Sequence, residues 1–104
     1  MRRKITALLL SALALLAGSP ARAADPLGEG RSALHAGRFA EAGPLLQEAL
    51  IGPTRGEALP LLAELALITG HPEEALRLAG EADEVPGLEA TAALLRARAL
   101  RTTG

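Results

Sequence analysis

Few side chains in this sequence are of a type that does chemistry. His35 and His71 are the only histidines, and two isolated imidazoles without a ligand motif give metal binding or acid–base catalysis no framework. His71 lies in the Gly70–Pro72 turn, where it is expected to cap the following helix, and His35 is expected to rim the first one. Ser32 and the threonines have no recognisable base near them in sequence. The chain carries no Gly-x-Ser-x-Gly elbow, phosphate-cradling glycine loop or zincin helix motif. Glu81, Asp83, Glu84 and Glu89 form an acidic cluster across a turn that could attract cations weakly. They lack the glycine-centred calcium-loop pattern and read as a soluble surface. With no cysteine, the chain has no disulfide, thiolate metal site, thiol nucleophile or lipid-modified cysteine. The residue inventory therefore predicts a non-enzymatic protein with no metal and no cofactor.

The first 23 residues have the marks of an export leader rather than of a fold. Arg2, Arg3 and Lys4 form a basic start, Ile5 to Ala17 a 13-residue apolar run, and Gly18-Ser19-Pro20 breaks it. Ala21-Arg22-Ala23 then supplies the small-x-small pattern read by signal peptidase, with cleavage expected between Ala23 and Ala24. A membrane span needs roughly 20 apolar residues, so the alternative of an uncleaved tether is the weaker reading. Lys4-Ile5-Thr6 fits twin-arginine export poorly. The expected location is periplasmic or extracellular, with membrane contact only through an uncleaved leader.

Loss of the leader reduces 11 basic residues to 7 against 12 acids, moving the formal charge from −1 to −5. Such a surface repels phosphate backbones and argues against nucleic-acid binding. The remaining 81 residues include a single aromatic, Phe39. A domain this small buries a modest core, so marginal stability or stabilisation by a partner is expected.

Turn signals divide residues 24–104 into five helix-sized segments: about Pro26 to Ala36, Phe39 to Leu50, Glu57 to Thr69, Pro72 to Asp83, and Leu88 to Thr103. Gly37, Gly52-Pro53, Gly70 and Pro86-Gly87 are the stops, and Pro72 suits a first helical position. No segment shows the alternating β-branched pattern of a strand. Pro44 removes a backbone bond to Ala40, so the second helix is expected to start late or to kink. From Leu59 to Ile68 only Glu64 is charged. A helix apolar nearly all round must be surrounded by protein, which predicts a central third helix. On the fourth, Glu73, Arg77 and Glu81 form a solvated i, i+4, i+8 stripe.

Gly37-Arg38-Phe39-Ala40-Glu41-Ala42 and Gly70-His71-Pro72-Glu73-Glu74-Ala75 echo each other 33 residues apart, and Gly104 lies 34 beyond Gly70. A period of about 34 residues is the mark of stacked helical hairpins. Each glycine ends one helix, a glutamate opens the next near its positive end, and small alanines let the pair approach closely.

On these residues the chain resembles the tetratricopeptide (TPR) repeat family. Gly30 and Ala63 take that motif's small place in the first helix of a pair; Ala42 with Ala49, and Ala75 with Ala82, take the two small places in the second. Phe39 takes the aromatic place, which Pro72 fills in the other repeat, and Gly104 as a third turn glycine aligns Ala97 and Leu100 with Ala63 and Ala66. Pro26 and Glu29 depart from the pattern. The implied fold is all-α: a short solenoid of antiparallel helix pairs, two TPR-like repeats plus a C-terminal closing helix.

The resemblance also implies a groove lined by the first helix of each pair. Carried over residue by residue, it offers Leu27, Arg31, Leu34 and His35 from the first, Glu57, Pro60, Glu64, Leu67 and Ile68 from the second, and Thr91, Leu94, Arg98, Arg101 and Thr102 from the closing helix. Arg31, Glu64 and Arg98 then share one position, so Glu64 is expected to bridge the two arginines and leave Arg101 free for an acidic partner group. The plainer reading is ordinary solvated charge, since exposed pairs contribute about 0–1 kcal/mol. The carboxylate clamp of some family members needs lysine and asparagine, and residues 24–104 contain neither. The resulting expectation is an exported adaptor that holds a peptide or helix of another cell-envelope protein. A membrane-tethered assembly factor, a fragment of a longer solenoid, and self-association through apolar ends are the competing readings.

Overall fold

Two glycine turns, 33 residues apart in sequence, set the frame of the structure, a computed structural model that describes residues 25–103. Gly37 and Gly70 hold φ at 82° and 83°, the left-handed region that a Cβ disfavours. In both turns the glycine N–H donates to the carbonyl three residues back, Leu34 or Leu67, at 3.1 and 3.3 Å. The N–H after it donates five residues back, Arg38 to Ala33 at 2.8 Å and His71 to Ala66 at 2.7 Å. This Schellman pairing satisfies the last carbonyls of a helix and reverses the chain. One backbone device thus occurs twice at the sequence period.

The helices between these turns are α1 (Pro26–His35), α2 (Phe39–Ala49), α3 (Arg55–Ile68), α4 (Pro72–Asp83) and α5 (Glu89–Thr103). No strand occurs among the described residues, and the architecture is an all-α, repeat-like stack. The expected leader, the expected cleavage point between Ala23 and Ala24, and Gly104 lie outside the described residues. The Asp25 carboxylate opens α1 by accepting the Gly28 N–H at 3.0 Å. α2 begins at Phe39 rather than late, and the helix runs on through Pro44. The carbonyl deprived of its donor belongs to Ala40, an exposed residue, so water can satisfy it. α3 begins two residues earlier than expected, because the Thr54 carbonyl accepts the N–H groups of Glu57 and Ala58 at 3.1 and 3.0 Å.

Each helix packs on the next, α1 packs on α3, and α3 on α5, whereas α2 and α4 do not pack on each other. A cleft of about 180 Å³, lined by Gly43 and Gln47 of α2 and Glu74 and Leu78 of α4 among others, separates those two. The odd-numbered helices therefore lie side by side on one side of the stack. α3 touches all four others, and its Ala58, Leu59 and Ala63 are 0% exposed. The apolar circumference of α3 has this cause: neighbours pack on several of its sides, while Ile68 at its end stays 48% exposed.

Small residues set the spacing inside each pair. A Cβ on Gly30 would lie 2.7 Å from Leu46 Cδ2, so α1 and α2 approach as closely as glycine allows. Ala42, Ala75 and Ala82 are 0% exposed and Ala49 is 1%. Ala97 and Leu100, aligned in sequence with buried Ala63 and Ala66, are exposed instead, since no helix among the described residues covers that face of α5. On α4, Arg77 bonds Glu74 and Glu81, not Glu73.

Candidate interaction surface

Most of the groove residues expected from sequence fall into three groups; Glu57, Pro60, Thr91 and Leu94 belong to none of them. Leu27 and Leu34 are 8% and 4% exposed and belong to the main core, so they are packing residues and line no groove. α1 turns them toward the helices it packs on, and burying leucine outweighs presenting it to water. Arg31 and His35 are exposed on α1, but among the described residues Arg31 makes no ion pair. The expected Arg31–Glu64–Arg98 bridge is therefore half present. Arg98 Nη1 donates to Glu64 Oε1 at 3.2 Å, and Glu64 has no bond to Arg31.

The third group comes together. Leu67, Ile68, Arg98, Arg101 and Thr102 line one depression of about 290 Å³ between the C-terminal ends of α3 and α5. Leu67 and Ile68 end α3, whereas Arg101 and Thr102 close α5 at the corresponding level. Contacts that advance together along both chains mean that α3 and α5 run in the same direction. Ile68 is 48% exposed, and no ion pair holds Arg101 among the described residues. The result is an apolar wall facing a cationic one. Arginine there can take a carboxylate in two parallel hydrogen bonds while its stem lies on the apolar surface. Leu94, 59% exposed, lies outside this depression.

The remaining reactive side chains fall into structural roles. His71 does not cap α4 with its ring: Nδ1 lies 3.1 Å from Thr69 Oγ1, whose hydroxyl donates to the Leu65 carbonyl at 2.8 Å. Ser32 borders a shallow depression with Asp25, Glu29, Arg38 and Glu41 and no histidine. In the acidic cluster, Glu81 is held by Arg55 and Arg77, while Glu89 accepts the Gly87 N–H at 3.1 Å. Among the described residues no group of three histidine or acidic side chains is placed to hold a metal ion, and no helix is long and apolar enough to cross a membrane. The Arg77 guanidinium bonded to Glu74 holds that carboxyl below the usual glutamate range, and Glu74 raises Arg77 in return. Comparison with family models, curated proteins and solved structures finds no match to this chain.

Proposed function

We propose that the chain is an exported, non-enzymatic adaptor of TPR-like helix pairs that holds a short segment of another cell-envelope protein on the side where the odd-numbered helices align. The observation that carries this reading is the depression between α3 and α5. Four of its five lining residues are apolar or cationic side chains that the repeat register put on the groove, Leu67, Ile68, Arg98 and Arg101. Its chemistry selects a segment that pairs an acidic group with an apolar side chain. Arg98 is neutralised by Glu64, which leaves Arg101 as the cation offered to the ligand.

Panning a displayed library of linear peptides against the full chain tests this. The expected outcome is enrichment of sequences with an acid beside apolar residues, lost in both Arg101→Glu and Ile68→Glu. Failure to enrich any sequence, or identical enrichment by both variants, overturns the reading.

A further inference from the structure

The two ends of the stack differ in chemistry. α5 buries Ala92, Leu95 and Ala99 against the helices before it. The corresponding places on α1 are Asp25, Gly28 and Ser32, where nothing precedes the helix among the described residues and the face is polar. The opposite face of α5 is not polar. Ala93 and Ala97 are exposed, and Leu94 and Leu100 are 59% and 52% exposed. A helical stack stays soluble when its terminal faces are polar; an apolar end calls for a cover.

The rest of the fold shows what such a face receives. Gly30 of α1 meets Leu46 of α2, and Ala66 of α3 clusters with Ala75 of α4. Both covering helices bury alanines seven residues apart, Ala42 with Ala49 and Ala75 with Ala82. Both are acidic. α2 carries Glu41 and Glu48, and α4 carries Glu73, Glu74, Glu81 and Asp83 against the single Arg77. Arg55 of α3 holds Glu81 of its covering helix at 3.0 Å.

We propose that this face of α5, uncovered among the described residues, seats one further helix from a partner protein, an acidic amphipathic helix with alanines seven residues apart. By helical spacing Arg96 borders the Ala93–Ala97–Leu100 stripe on one side and Arg101 on the other. Neither makes an ion pair among the described residues. Two cationic rims around an apolar stripe match the acidic chemistry of α2 and α4. A second copy of the chain has no such helix to spare, because its own Ala42, Ala49, Ala75 and Ala82 are already buried. The leader is a poor occupant, since Arg2, Arg3 and Lys4 bring like charge to Arg96 and Arg101. This seat rests on the same stacked-pair reading and shares Arg101 with the proposed groove, so Ile68 and Ala97, each on one surface only, are the positions varied to tell the two apart.

The probe is a labelled synthetic peptide of residues 71–83, stapled between the places of Glu73 and Arg77, which are exposed in α4. The staple is needed because an isolated helix of this length is marginal in water. Binding to the full chain is read by fluorescence anisotropy. Saturable binding is expected, weakened about tenfold or more by Ala97→Glu and unchanged by Ile68→Glu. Ala97 is exposed, so circular dichroism of Ala97→Glu should match the parent. No saturable binding, equal binding of a peptide with Glu74, Glu81 and Asp83 changed to lysine, or insensitivity to Ala97→Glu overturns the proposal. So does concentration-dependent self-association of the parent that Ala97→Glu abolishes, since the face is then occupied by a second copy.

Discussion

Glu64 and Arg98 stand 34 residues apart in the chain and 3.2 Å apart in space. One turn of the solenoid separates them in sequence, and the side-by-side packing of α3 and α5 brings equivalent positions of successive repeats into contact. The pair joins the two walls of the candidate groove at one end while Leu67, Ile68, Arg101 and Thr102 continue it.

The pair's contribution to stability is expected to be small. Its side chains are 35% and 39% exposed, so solvent screens the attraction. Glu64→Ala or Arg98→Ala should lower stability by less than about 1 kcal/mol. A double-mutant cycle in urea should show coupling that shrinks with added salt. If partner affinity is also unchanged in both variants, the pair has no part in the groove.

Two kinds of glycine should respond differently to substitution. At Gly30 an added Cβ meets Leu46 at 2.7 Å, so Gly30→Val forces α1 and α2 apart and should cost about 1–3 kcal/mol by overpacking. At Gly37 and Gly70 nothing lies within 4 Å of an added Cβ, and the penalty is backbone strain alone. Alanine there should cost about 1–2 kcal/mol and asparagine less. Urea midpoints of Gly30→Val, Gly37→Ala, Gly70→Ala and Gly37→Asn separate the two mechanisms.

Leu46 and Leu59 are the largest fully buried side chains. Either one replaced by alanine should lose about 2–5 kcal/mol through lost burial and a residual cavity. A fold this small has little reserve, so thermal melts of Leu46→Ala are expected to begin at or below room temperature. Retention of a cooperative transition near the parent value would mean a larger reserve than the core implies.

Glu74 gives the stability a weak acid dependence. Its carboxyl titrates below the usual glutamate range because Arg77 bonds the ionised form. A depressed folded-state pKa stabilises above the unfolded-state value, and the contribution is lost as pH falls through the folded one. The advantage of the parent over Glu74→Gln should thus be full at neutral pH and vanish in acid. Both side chains are largely exposed, 43% and 55%, so the difference should stay below about 1 kcal/mol.

Export is checked on the native protein by intact-mass measurement. Cleavage after Ala23 predicts a chain beginning at Ala24 and lacking residues 1–23. A full-length mass in membrane fractions would favour the tethered form.

Local chemistry made much of the fold legible from sequence. Glycines that must take positive φ, prolines at helix starts and the repeated Gly-x-x-x-Glu-Ala segment mark where helices end and restart, because those constraints act within a few residues. The apolarity around Leu59–Ile68, broken only by Glu64, likewise foretold a central helix with neighbours on several sides. The orientation of each helix was a different matter. Leu27 and Leu34 sit at groove places of the register but point inward, and Arg31 shares a register position with Glu64 without reaching it. α5 is apolar on both faces, so periodicity could not tell buried Ala92, Leu95 and Ala99 from exposed Ala93, Ala97 and Leu100. Helical spacing relates side chains within one helix. Which face turns inward, and whether equivalent residues on successive repeats touch, depends on how neighbouring helices pack, and that only the tertiary structure decided.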